Sequence, residues 1–229
     1  MPNLRSFIGR RPALFYPLYR LLRRDRLTRA LLVDRATTLV VEGFPRCGNT
    51  FAVLALQHAQ PEPLSIAHHL HHPAQVRRGV KWEIPCVVLI REPEAAIRSL
   101  ALRQPGRTIG ELMCQYLEFY EALEPLAGKF LTVDFAPLTD DFGAVTRAIN
   151  ARFGTEFVCF EHSADNQAAV FAQIEQVNRA HGGGEYEVSR PSGVRQQLPA
   201  VEFEPAEHAL LGRARALYER FRAQPGAVV

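Results

Sequence analysis

Residues 40–51 read Val40-Val41-Glu42-Gly43-Phe44-Pro45-Arg46-Cys47-Gly48-Asn49-Thr50-Phe51, and no other stretch constrains the fold so tightly. A β-branched apolar run over 37–41 enters a turn marked by Gly43, Pro45 and Gly48, and a helical pattern begins directly after it. A strand, a short loop and a helix N-terminus together form an arrangement that holds phosphate. Backbone N–H groups without helical partners converge there, and the helix dipole favours an anion. The plain alternative is a glycine-containing turn between any strand and helix, which one short motif does not exclude.

Gly43 and Gly48 have the spacing of the first six positions of a Walker A loop, but Asn49 stands where the lysine should be. The nucleotide-hydrolase reading therefore fails at its most diagnostic position. The cation sits inside the loop instead, at Arg46. Residues 44–51 resemble the 5'-phosphosulfate loop of sulfotransferases, which reads aromatic-Pro-Lys-Ser-Gly-Thr-Thr-aromatic, with Arg and Asn as variants in the broader, bacterial-type family. These enzymes take 3'-phosphoadenosine 5'-phosphosulfate (PAPS) as donor and release adenosine 3',5'-bisphosphate (PAP). The resemblance implies donor binding by Arg46, Cys47, Gly48, Asn49, Thr50 and Phe51, with Arg46 also meeting the charge that develops on the leaving phosphate.

A second constellation follows. Val87-Val88-Leu89-Ile90-Arg91 is a buried-strand run ending in arginine; Pro93 starts a helix, and Ser99 lies about two turns inside it. Ligands of open parallel sheets bind beyond the carboxyl ends of strands, where Arg91 is placed. Arg91-Glu92-Pro93 and Ser99 resemble the 3'-phosphate motif of sulfotransferases, which implies that Arg91 and Ser99 hold that phosphate. Read without the family, Arg91 could equally pair with Glu92 or Glu94.

His68, His69, His71 and His72 hold four of the eight histidines of the chain. Side chains of an extended segment alternate sides, so the four cannot all reach one ion, and no metal site is expected. The family carries its general base at this place, in Lys-Thr-His-x-Pro. His69 matches it by distance to Arg91, and His71 by distance to Pro73. The family's lysine is absent. Histidine suits the role because its pKa lies near working pH. Later in the chain, Ser189-Arg190-Pro191-Ser192-Gly193-Val194-Arg195 loosely resembles the family's Arg-Lys-Gly loop, which implies that Arg190, Ser192, Gly193 and Arg195 close over the 3'-phosphate. A solvated turn is the equal alternative.

Strand patterns at 37–41, 64–69, 85–90 and 130–133 alternate with helical ones at Asn49–Ala59, after Pro73, after Pro93, at 108–126 and at 141–153. Two more helices are expected at 166–180 and 205–222, with a loop from 181 to about 199 between them. The expected fold is α/β: a P-loop-type, doubly wound parallel β-sheet flanked by helices, in a single domain over 37–229. Residues 1–36 form a basic helical segment, with a helix over 17–33, that packs on the domain or meets a membrane surface or an acidic partner. At 229 residues the chain is too short for two comfortable domains. A net charge of +3 asks for no nucleic-acid partner. Four scattered cysteines suit a reducing, cytoplasmic setting. The combined expectation is transfer of a sulfuryl group to a small-molecule or glycan acceptor. The rivals are a P-loop phosphotransferase using a nucleoside triphosphate, and a non-catalytic nucleotide-binding relative.

Overall fold

The computed structural model of the chain describes residues 4–23, 25–180 and 203–229. Four strands, β1 (Leu39–Gly43), β2 (Ile66–His68), β3 (Cys86–Ile90) and β4 (Leu131–Asp134), form one parallel sheet in the order β2-β1-β3-β4. Val40 faces Ala67 on one side and Cys86 on the other, and Val88 faces Thr132. All residues of β1, β3 and β4 are buried, as continuous Val, Leu and Ile runs demand when both sheet faces are covered. The outer edge of β4 is paired as well. Asp134 N donates to Val228 O at 2.9 Å and Val228 N donates to Thr132 O at 3.0 Å, so the last residues cover backbone groups that would otherwise be open.

The described helices are α1 (Leu4–Gly9), α2 (Pro12–Leu22), α3 (Arg26–Ala30), α4 (Asn49–Ala59), α5 (Pro73–Lys81), α6 (Pro93–Arg103), α7 (Ile109–Glu121), α8 (Phe135–Asp140), α9 (Phe142–Phe153), α10 (Ala164–Ala180) and α11 (His208–Arg222). The chain leaves β1 toward β2 on one side, then crosses back to β3 and β4 on the other. Right-handed crossovers in opposite directions place their helices on opposite faces. Accordingly α4 packs with α9 and α10, while α5 packs with α2, and α6, α7 and α11 pack together. The reversal falls at β1, which opens a crevice beyond its carboxyl end.

Local chemistry explains where the elements differ from expectation. The helix expected over 17–33 is two helices, because the Asp25 side chain accepts from Thr28 N at 2.7 Å and starts α3 anew. Arg29 closes the preceding end by donating to Arg20 O and Arg23 O. The helix expected over 108–126 begins at a Thr108/Glu111 capping box and stops at Glu121; a short 3₁₀ turn, Glu124–Leu126, follows around Pro125. β2 is only three residues long, since His69 and His71 adopt left-handed φ values of 60° and 52°. α1 and α8 were not foreseen; at six residues each they are too short for a periodic signal.

Phe15, Tyr16, Leu32 and Val33 of the N-terminal segment belong to the same apolar cluster as the strands. No helix among the described residues is long and apolar enough to cross a membrane. α5 approaches the sheet so closely that a Cβ on Gly79 would lie 2.4 Å from Cys86 Sγ and 2.9 Å from Val40 Cγ2. Gly79→Ala should therefore destabilise the fold by about 1–3 kcal/mol despite alanine's better helix propensity. Urea denaturation should show a lower midpoint with an unchanged slope; an unchanged or raised midpoint would mean the helix can shift outward at no cost.

Candidate functional site

The loop after β1 is shaped by steric limits. A Cβ on Gly43 would stand 2.5 Å from Leu89 O of β3, so the strand can leave the sheet there only as glycine. Gly48 has φ 88° and would bring a Cβ to 2.8 Å from Leu138; it stands just before α4 and offers no side-chain cap to the first amides of that helix. Arg46 itself holds a left-handed φ of 73°. Asn49 Nδ2 donates to Phe44 O at 3.1 Å, so the residue in place of a Walker lysine braces the loop. Tyr120 Oη accepts from Phe44 N at 3.2 Å and donates to Leu89 O at 2.7 Å, pinning the loop to β3. Cys47 is fully buried against that hydroxyl, and burial pushes its thiol up to about 12. Only the backbone of Cys47 is therefore available to a ligand.

A cavity of about 860 Å³ opens where this loop meets the ends of the strands. It joins both sequence constellations. Arg46, Gly48, Asn49, Thr50 and Phe51 line it from the loop and α4, His69 and His71 from the segment after β2, and Arg91 and Ser99 from β3 and α6. Arg46 Nε donates to Ser99 Oγ at 3.0 Å, and Arg91 Nη1 donates to Arg46 O at 3.1 Å. The Arg91 guanidinium lies 4.1 Å from the Phe135 ring centroid, and Tyr116 Oη fixes the Arg91 carbonyl at 3.0 Å. Arg98 and Arg103 add two further guanidinium groups, and no Asp or Glu is among the described lining residues. Sequence reasoning missed both arginines. The signal was available, because 98, 99, 102 and 103 share one face of a helix. Arg190, Ser192, Gly193 and Arg195, and the loop over 181–199, lie outside the described residues.

The two candidate histidines stand in different surroundings. His69 Nε2 lies 2.9 Å from Thr50 Oγ1, and its Nδ1 lies 2.5 Å from His68 Nδ1. Burial pushes His69 well below the usual histidine range and His68 down to about 4, so both rings are neutral. His71 Nδ1 lies 2.7 Å from Gly43 O. A carbonyl only accepts, so Nδ1 carries the proton and Nε2 is the basic nitrogen of the neutral ring. His71 also lines a second cavity, of about 790 Å³, that includes Arg10, Arg107, Glu111 and Glu118. Pro45 and His71 form the wall common to both cavities. Among the described residues no group of three His, Cys, Asp or Glu is arranged to hold a metal ion.

Glu42 organises this segment, although the sequence reading ended the strand at Val41 and gave Glu42 no role. It is fully buried; Oε1 accepts from Leu70 N and Oε2 from His71 N, each at 3.0 Å. These two bonds hold the backbone between the left-handed His69 and His71. The amides favour the carboxylate, but burial outweighs them and pushes the carboxyl up to about 8. His71, Gln75 and Tyr16 are the polar groups beside it. The folded chain therefore keeps a proton that the unfolded chain releases between pH 4.5 and 8, and the stability this group contributes falls as pH rises through that window. Glu42→Gln should lower stability by about 1–3 kcal/mol at acid pH, because its amide sets a donor against backbone donors. The gap between wild type and variant should close and then reverse between pH 4.5 and 8, since His68 and His69 titrate alike in both and cancel. A gap constant across that range in urea titrations would show that Glu42 titrates as an ordinary carboxyl.

No family model matches the chain, and no curated protein matches it. Among solved structures, the crystal structure of mouse sulfotransferase SULT7A1 complexed with PAP is similar at 14% identity and a TM-score of 0.41, covering 86% of this chain and 78% of that one.

Proposed function

We propose that the chain is a PAPS-dependent sulfotransferase that moves a sulfuryl group to a hydroxyl or amine acceptor and releases PAP. The observation that carries this reading is the cavity beyond the sheet, about 860 Å³, lined by the α4 N-terminus and four arginines with no carboxylate among the described lining residues. Its size is in the range of about 300–1,000 Å³ usual for small-molecule sites, and its charge suits a ligand with several anionic groups. The amides of residues 47–51 and Arg46 receive the 5'-phosphosulfate end. Arg91 and Ser99, with Arg98 beside them, receive the 3'-phosphate. Arg190, Ser192, Gly193 and Arg195 are the proposed cover.

In the transfer, a bond forms between the acceptor oxygen or nitrogen and sulfur, while the bond from sulfur to the bridging phosphate oxygen breaks. The negative charge left on the 5'-phosphate is met by Arg46 and the α4 amides, already oriented by the loop. The acceptor's proton goes to His71 Nε2. His71 is the better candidate for the base because it stands on the wall shared by the two cavities, with Nδ1 engaged by Gly43 O. His69 serves as a brace for Thr50. A magnesium-dependent phosphotransferase has less support: Asp134, the acid at the end of β4, already accepts from Tyr218 Oη at 2.6 Å and pairs with Arg222 at 3.1 Å.

Calorimetry with PAP and with ADP tests the donor site. PAP should bind more tightly, and Arg91→Ala should remove most of the preference, since a lost charged phosphate contact costs roughly 1.5–3 kcal/mol. Equal affinities for PAP and ADP in the wild type would refute the assignment. Turnover with PAPS and a panel of hydroxyl and amine acceptors tests the base. His71→Ala should lower kcat by about 10²–10⁴ while PAP affinity holds, as expected for a group acting in the transition state. His69→Ala should weaken PAP binding through Thr50. Full turnover in His71→Ala would remove it from the mechanism, and tight PAP binding with no turnover in the wild type would favour a binding protein.

A further inference from the structure

α2 is apolar on two faces. Phe15 and Tyr16 are buried against the domain, while Leu14, Leu18, Leu21 and Leu22 point outward with exposures of 45%, 36%, 62% and 70%. At 100° per residue these four leucines fall on one arc of about 100°, opposite the arc of Tyr16. Phe7 of α1 is 44% exposed as well, so residues 7–22 hold five of the eight large exposed hydrophobics among the described residues. A helix apolar on both sides needs a second cover.

The charge around this face says what kind of cover. The first 35 residues contain nine arginines and two aspartates, whereas 18 of the 27 basic and 22 of the 24 acidic residues lie beyond them. The basic balance of the chain thus belongs entirely to this segment. Arg11, Arg20 and Arg23 are exposed on or beside α2, and that helix has no acid. A second copy seated face to face would bring the same arginines together, which their mutual repulsion opposes. Exposed leucines flanked at one end of α2 by Arg11, whose guanidinium lies over the exposed Phe7 ring, and at the other by exposed Arg23 match the boundary between acyl chains and anionic headgroups, with the leucines entering and the guanidinium groups reaching the phosphates.

We infer that α1 and α2 form a docking surface for an anionic lipid bilayer. Leu14, Leu18, Leu21 and Leu22 insert at the interface, and Arg11 and Arg23, at the two ends of α2, supply attraction that salt weakens. The same segment walls the second cavity through Gly9 and Arg10, so docking holds that cavity beside the bilayer. The inference does not depend on the sulfotransferase reading.

Cosedimentation of the full chain tests it, using vesicles of phosphatidylglycerol and phosphatidylcholine in equal parts against phosphatidylcholine alone. Wild type should sediment with the mixed vesicles and not with the neutral ones, and should be released by raised salt. Arg11→Ser with Arg23→Ser should weaken binding roughly tenfold or more, and Leu18→Asp with Leu21→Asp should abolish it. Circular dichroism and urea denaturation on both variants check that the fold persists. No sedimentation of the wild type with mixed vesicles would overturn the inference. So would a wild-type dimer by light scattering that Leu18→Asp with Leu21→Asp converts to monomer, because a second copy would then be the cover.

Discussion

The Glu42 carboxyl group, buried at the end of β1, accepts the backbone N–H groups of Leu70 and His71, and much of the site depends on that pair of bonds. Among the described residues the histidine segment has no strand partner past His68, so its backbone needs donors and acceptors from elsewhere. Glu42 supplies two acceptors and Gly43 O supplies a third, to the His71 ring. The segment is thereby held in a left-handed course that sequence propensity alone would not maintain. On the other side of the loop, Tyr120 spans Phe44 N and Leu89 O. The phosphate-type loop is thus anchored on both sides by buried polar groups whose loss would leave backbone donors or acceptors unsatisfied.

Electrostatics separates the two cavities that meet at Pro45 and His71. One gathers Arg46, Arg91, Arg98 and Arg103 without an acid among its described lining residues; the other mixes Arg10 and Arg107 with Glu111 and Glu118. The first favours a highly charged anion, and the second, nearer to balance, suits a neutral or weakly charged molecule. In the second, Arg107 is already engaged by Glu111 and Gln115. A base on the wall between them can serve a group entering from the second cavity while the loop amides hold an anion in the first. In the proposed reaction this geometry separates the acceptor's proton from the charge released on the donor.

The N-terminal segment combines two demands that rarely coincide. Its aromatic face completes the core over α5, where Tyr16 Oη donates to Gln75 Oε1 at 2.5 Å and Gln75 Nε2 reaches Leu31 O at 2.7 Å. Arg78 sits over the Tyr16 ring at 3.0 Å. Its outer face keeps leucines in solvent. The inner contacts fix the helix in place, so the outer leucines stand on a rigid support and lose little further entropy when they meet a surface.

Much of the architecture was legible in the sequence. The apolar runs ending at Val41 and Ile90, and the Gly- and Pro-marked loop, specify buried parallel strands and a helix N-terminus through local chemistry alone. The helix Asn49–Ala59 has the bounds the sequence implies. Arg91 belongs to a strand end for the same reason. Which side chains meet was decided only in three dimensions. Ser99 reaches Arg46 across 53 positions and Thr50 reaches His69 across 19, distances at which periodicity carries no information. The difference between His69 and His71 is likewise tertiary: neighbouring residues of one segment, they separate because Glu42, 28 and 29 positions away from Leu70 and His71, accepts from the backbone between them. Patterns of polarity and turn residues set the elements; the closure of the sheet around β1 set the chemistry of the site.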